Sequence, residues 1–413
     1  MRQNQPENSF PDFRGSLSLL LLPAILGDRT LFFILAGLVA LIGFFHVKSW
    51  PKSTNWLLPL FFLFCTGLSY FLWKNVPLPL FERKINFLWI PILVWLSGIK
   101  LDLRALQFLE LSCGIFSILL IFNALLNFIF LQNMEFISYH GFADNFKYNA
   151  IYLSAYLCLG YFSAFQRSLV NHEKFSWIDI LFITATFVSL VLLSSKLILS
   201  LCLGLPFIYI WINNSGKKLK LISTAFLISS VVFFSKLPVG KRFAFEIKET
   251  QRILELPHFD QGTYFTGTSI RLVLNKFSLE ILEHENHKFF GLGMGNLQEK
   301  LNKKIINSGM YTGETGKPGT GFIGYNTHNQ YIHTLLESGI SGFVCLISIL
   351  IFMLVKTYRS RNFQLFFQTI LFVMLGLTEN YMEVYFKGTL LFAFVFGLIA
   401  CQNMIKEAEE TTS

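Results

Sequence analysis

At 413 residues the chain is long enough for two ordinary domains, yet 53% of it is hydrophobic, only 14% is charged, and 47 residues are Phe. Soluble domains carry about a quarter charged residues, so this composition excludes an ordinary soluble protein and points to the bilayer. The net charge of +9 fits cytoplasmic loops of a membrane protein better than a nucleic-acid surface, and no nucleic-acid partner is expected.

A helix needs about 20 apolar residues to cross the hydrocarbon core. In chain order, apolar runs fall at 17–26, 31–45, 55–73, 85–99, 108–130, 149–166, 178–195, 197–212, 221–235, 339–355, 363–378 and 388–405. They predict an all-α polytopic membrane protein with about twelve transmembrane helices. Eleven result if the two runs flanking Lys196 form one long span. The first run lacks a small-residue cleavage site and reads as an uncleaved span. With the N-terminus inside, the cytoplasmic segments hold fifteen Lys and Arg against seven in the short outer segments. That bias puts both termini in the cytoplasm, and "NNSGKKLK" and "KTYRSRN" supply most of it. All six cysteines sit inside apolar runs without metal or redox spacing and read as small apolar filler.

One segment breaks the pattern. No run from Lys236 to Ser338 could span, and following the ninth span this loop lies outside. The expected division is an N-terminal membrane bundle (1–235), an outer loop (236–338) before the tenth span, and a C-terminal bundle (339–413). Within the loop, "TSIRLVLNKFSLEILEHE" has apolar residues three and four apart and predicts a helix. "GLGMGNL" at 291–297 lacks dinucleotide-binding spacing and reads as a tight turn. "SGMYTGETGKPGTGFIGYN" reads as a flexible stretch rather than folded core.

Chemistry concentrates in "YNTHNQYIHTLLESGISG", Tyr325 to Gly342. His328 and His333 would lie about 140° apart around a helix, which disfavours a shared metal. His333 reads as an amphipathic-helix residue. His328 lies between a glycine-rich loop and a probable helix, where imidazole suits a general base. A capping or headgroup-level histidine fits the position as well. Arg271 stands among apolar residues on the loop helix, and Lys196 between two apolar runs in "LLSSKLILS". A cation in such surroundings marks a functional site; if the two face one cavity they make an anion site. The plain alternatives are a surface ion pair for Arg271 and a snorkelling side chain for Lys196. In "TENYMEVYFKG", Glu379, Glu383 and Lys387 are spaced four apart. They fit either helical ion pairing or acceptor binding and orientation of the base.

These residues resemble a known family. His328, Asn329, nine intervening residues, Gly339, two more and Gly342 fit the pattern His-[Asn/Ser/Gln]-x9-Gly-x-x-[Gly/Thr/Tyr] of the bacterial O-antigen ligase and polymerase superfamily (the Wzy/WaaL type). The twelve-span layout agrees, as does an Arg ahead of "FFGLGMGNL". "SSK" stands where the family often has Ser-Arg, which weakens bidentate contact at Lys196. The resemblance implies metal-independent, inverting transfer of a glycan from undecaprenyl pyrophosphate to an acceptor hydroxyl, on the periplasmic side of the inner membrane and without a cofactor. The acceptor would be lipid A–core, another lipid-linked repeat unit, or a protein. His328 would activate the acceptor, and Arg271 with Lys196 would hold the pyrophosphate. Asn329, Glu337, Glu379, Glu383 and Lys387 are candidate supporting or acceptor-binding residues. Ligation to lipid A–core is favoured over polymerisation and protein glycosylation, though no residue decides among them. A lipid or polysaccharide transporter would place titratable groups at span centres, where few fall. A scaffold displaying a binding loop would tolerate loss of His328.

Overall fold

The computed structural model describes residues 29–46, 57–72, 78–97, 103–132, 139–144, 148–213, 216–236, 238–256, 258–284, 289–293, 295–314, 320–382 and 386–401. The first apolar run and Glu383 lie outside them. Among the described residues the protein is all-helical, with no strand. The order is α1 (Arg29–His46), α2 (Leu57–Leu72), α3 (Leu78–Leu96), α4 (Leu103–Leu131), α5 (Tyr139–Asp144), α6 (Ala150–Phe165), α7 (Trp177–Leu193), α8 (Lys196–Ile212), α9 (Lys217–Lys236), α10 (Pro238–Glu255), α11 (Gly267–His284), α12 (Asn296–Asn307), α13 (Gln330–Arg359), α14 (Phe363–Leu375) and α15 (Phe386–Cys401).

Two of these helices, α4 and α13, are long and apolar enough to cross a membrane, and shorter apolar stretches run through α1, α2, α7, α8, α14 and α15. The packing of α4 is inverted relative to a soluble helix. Its large apolar residues Leu111, Ile115, Leu119, Phe122, Leu125 and Ile129 are exposed. Its inner face carries Glu110, Cys113, Gly114, Ser117 and Ala124 together with Leu106, Leu109 and Leu120. Bulky apolar residues on the exposed face, with small residues among those at the contacts, suit a helix surrounded by lipid, where close backbone approach drives association. A Cβ on Gly114 would stand 2.3 Å from Phe182 Cβ, and one on Gly160 2.4 Å from Cys113 Cβ. At the centre, α6 is buried almost all round and packs against α4, α7, α8 and α14, as expected of a helix apolar on every face.

The two runs around Lys196 form two helices. Ser194 ends α7 in the left-handed region (φ 51°), and α8 starts at Lys196. The charged residue thus heads a helix, a better place for it than the middle of a span.

The segment between α9 and α13 is a folded unit. Its helix α10 begins with Pro238, two positions after the last residue of α9, using proline where a helix tolerates it. Ile253 from α10, Ile270, Val273, Leu274 and Phe277 from α11, and Leu301 and Ile305 from α12 share one buried cluster. The glycine-rich stretch departs from the sequence expectation. Met310 is fully buried in that cluster and Phe322 packs against it, while Phe322 N donates to Tyr311 O at 2.9 Å. Its apolar residues pin both described ends onto the core.

Helix α13 is broken at Gly339 (φ 68°, ψ −166°). The break leaves carbonyls without helical partners. The turn at Gly291 supplies donors: Leu292 N bonds Leu336 O at 2.7 Å and Gly293 N bonds Glu337 O at 2.9 Å. Any Cβ at Gly339 would lie 2.2 Å from Phe289 O, and one at Gly291 2.5 Å from Glu337 O. Two glycines far apart in sequence are therefore required by one close backbone approach. Beyond the break, residues 340–359 continue as helix, about 30 Å at 1.5 Å per residue.

Candidate functional site

His328 sits one residue ahead of the cap of α13. Asn329 is that cap: its Oδ1 accepts from Tyr331 N at 3.0 Å and Ile332 N at 3.1 Å, satisfying donors that a helix start leaves open. The motif asparagine is thus occupied in holding backbone. His328 itself has φ +47°, a conformation costing a non-glycine residue about 1 kcal/mol or more. Its surroundings enforce it. His328 N donates to Asn326 Oδ1 at 2.7 Å, and Asn380 Nδ2 bonds the same oxygen at 3.0 Å and Thr327 Oγ1 at 3.1 Å. The ring meets Tyr325 edge-on, with centroids 6.1 Å apart. Its Nδ1 is buried, makes no hydrogen bond, and lies 3.5 Å from Glu379 Oε2.

Glu379 joins His328 to Arg271. Arg271 Nη2 donates to Glu379 Oε1 at 2.5 Å, and the carboxylate is 2% exposed. The rest of the guanidinium is held by backbone, with Nε on Thr378 O at 3.1 Å and Nη1 on Gly267 O at 2.5 Å. Burial pushes the Glu379 carboxyl up, but the approach of His328 and the charge of Arg271 outweigh it. The group is held below its usual range and stays ionised at neutral pH. Residues 378–382 are not helical, so no helical ion-pair ladder runs through Glu379. The segment is tied to α13 by Gln330, whose N bonds Gly376 O at 2.8 Å and whose Oε1 accepts Met382 N at 2.9 Å.

Lys196 and Arg271, far apart in sequence, line one cleft of about 200 Å³. Its floor and walls include Ser194, Ser195, Thr268 and Glu379, with apolar Ile151, Leu197, Leu272 and Leu377 beside them. Helices α8 and α11 both begin at this cleft, and helix N-termini favour anions. Lys196 Nζ is paired with Glu246 of α10, whose Oε2 also accepts from Thr268 Oγ1 at 2.9 Å.

Glu337 lies elsewhere, in a buried network behind the histidine loop. Lys84 Nζ reaches Glu337 Oε2 at 2.6 Å with both side chains nearly inaccessible. His333 Nε2 is 3.8 Å from the same oxygen, and His333 Nδ1 is 3.1 Å from Asn380 Nδ2. A chain of polar contacts therefore runs from α3 to the residues that set His328. Lys387 stands in the first turn of α15 with Nζ 3.8 Å from the centroid of the Tyr148 ring, away from the cleft lining. Gly342 is buried one turn past the break, where a Cβ would come within 2.4 Å of Ser338 Cβ.

Sequence reasoning missed Glu246, Lys84, Thr268 and Asn380. Each is an ordinary polar residue by local pattern, and only packing brings it to the site. Among the described residues, no group of three or more metal-ligating side chains is assembled.

Residues 180–347 match the family model Wzy_C, described as O-antigen ligase, which bears out the resemblance drawn from the motif. The matched span includes Lys196, Glu246, Arg271, His328, Gly339 and Gly342, and stops before Glu379. No curated protein matches the chain.

Proposed function

We propose that this chain, whose residues 180–347 match the O-antigen ligase family, is a membrane glycosyltransferase that moves a glycan from undecaprenyl pyrophosphate to a hydroxyl of lipid A–core. In this reading about twelve spans cross the bacterial inner membrane with both termini in the cytoplasm. The unit 236–338 stands in the periplasm between the two bundles. The observation that carries it is that Lys196, Arg271 and Glu379 line one cleft, with His328 Nδ1 3.5 Å from the Glu379 carboxylate. The cleft is also bordered by apolar side chains, as a donor that is lipid at one end and polar at the other requires.

The chemistry proposed is the inverting transfer that the family resemblance implies. The acceptor hydroxyl attacks the anomeric carbon from the face opposite the pyrophosphate, so one C–O bond forms as the other breaks and the configuration inverts. His328 takes the hydroxyl proton, and the ionised Glu379 beside Nδ1 stabilises the imidazolium that results. The pyrophosphate departs with the bonding pair, and Arg271 and Lys196 balance its growing charge. Arg271 is restrained by two backbone carbonyls and Glu379, so little reorganisation is needed during reaction.

The test is deletion of the gene in its bacterial host, followed by gel analysis of surface glycolipids after complementation with wild type, His328→Ala and Arg271→Ala. Ligation predicts bare lipid A–core in the deletion strain, polymer retained on undecaprenyl, and rescue by wild type alone. Core bearing a single repeat unit would make the protein a polymerase instead. A normal ladder with His328→Ala at normal protein level would remove the histidine from the chemistry.

A further inference from the structure

The two cations of the cleft already face carboxylates, Lys196 with Glu246 and Arg271 with Glu379. The four formal charges cancel. The two acids differ in their surroundings. Glu379 also sits against His328 and is anchored in the 376–382 segment. Glu246 is buried on α10, and its Oε2 is held by Lys196 and by the Thr268 hydroxyl at the start of α11. A lysine ammonium, a threonine hydroxyl and two helix N-termini form a donor set suited to a phosphate oxygen. In this structure a carboxylate oxygen occupies it.

We propose that Glu246 is a specificity-determining residue: it holds the phosphate position on Lys196 and Thr268, and yields it to a lipid diphosphate but not to a lipid monophosphate. The inference rests on the reading of Lys196 and Arg271 as the pyrophosphate-holding pair. A lipid monophosphate carries about −1.5 to −2 at neutral pH, but it reaches only Lys196 and Thr268 and must give up the contacts that Glu246 already makes with both. It also leaves a carboxylate beside the anion, and like charges brought together are costly. A diphosphate brings a second charged group that reaches Arg271 as well, so its gain exceeds the loss of one ion pair. Exclusion by a resident like charge is specificity built against the wrong ligand.

The test measures binding of polyprenyl diphosphate and polyprenyl monophosphate to the purified full chain in nanodiscs. Wild type, Glu246→Gln, Thr268→Val and Lys196→Ala are compared, with melting temperature and monodispersity as folding controls. Wild type should prefer the diphosphate. Glu246→Gln should raise monophosphate affinity about tenfold and narrow the preference. Thr268→Val, which loosens the hold on Glu246 without touching its charge and removes the same hydroxyl donor from both ligands, should shift the ratio the same way by less, and serves if Glu246→Gln does not fold. If neither variant moves the ratio while Lys196→Ala weakens diphosphate binding, Glu246 merely supports Lys196 and this inference fails alone. If Lys196→Ala leaves both affinities unchanged, the pyrophosphate reading fails, and the inference with it.

Discussion

Two arginine–glutamate pairs in this chain have nearly the same contact distance and different surroundings. Arg167 Nη1 meets Glu110 Oε2 at 2.6 Å, with side chains 2% and 3% exposed. Asp179 stands 3.5 Å from the same nitrogen, and the Phe175 ring lies 5.7 Å from the guanidinium. Arg271 meets Glu379 at 2.5 Å, but the arginine is 24% exposed and opens on a cleft. The first pair is sealed between α4 and the helical turn 166–170 that follows α6, and opens on no cleft that the site uses. The second keeps one face toward solvent and has a histidine in a costly backbone conformation on the other side of its acid. An ion pair alone therefore says little about function. The cleft beside it, and the neighbour that could exchange a proton, make the difference.

That comparison can be broken by substitution, and the largest effect is expected at the open site. His328→Ala should lower turnover per molecule by about 10²–10⁴-fold, the usual contribution of a general base, while the melting temperature stays near wild type. A large drop in melting temperature would make the histidine structural. Arg271→Ala should cost about 10²–10³-fold in turnover, as loss of an electrostatic stabiliser does; single-turnover kinetics with lipid-linked donor would measure it. Glu379→Gln keeps the shape and removes the charge facing both Arg271 and His328. It should cost about 10- to 100-fold, matching the roughly 1.5–3 kcal/mol of a hydrogen bond to a charged group.

The sealed pair should behave in the opposite way. Arg167→Met leaves Glu110 buried without its partner, so unfolding in detergent should show a loss of about 3–5 kcal/mol, with unchanged turnover for the protein that remains folded. A loss of turnover at normal stability would erase the distinction. The smallest effect concerns acid. The lowered Glu379 carboxyl contributes stability that is fully present above the unfolded carboxylate value of about 4.3 and is lost as pH falls through the lower folded value. Thermal melts should therefore be flat from neutrality to about pH 5 on account of this group, and Glu379→Gln should flatten the decline below it.

Local pattern made much of this fold legible. The runs 149–166, 178–195, 197–212 and 363–378 became α6, α7, α8 and α14, because a helix buried or lipid-covered on every side must be apolar throughout. The loop helix around Arg271 was legible from its three-and-four spacing, and the pair Gly339 and Gly342 from the motif. The glycine-rich stretch misled, because glycine count reports backbone freedom and not whether Met310 and Phe322 find a core.

The sequence by itself determined that the chain is helical and built for lipid, where its charges gather, and which histidine stands at the edge of an apolar segment. These are properties of neighbours in the chain, and helical periodicity extends only a few residues. Only the tertiary structure decided that Glu379 reaches Arg271, that Glu246 holds Lys196, that Lys84 meets Glu337, and that the Gly291 turn fills the break at Gly339. A buried charge or an open carbonyl must find a partner, and packing settles which one.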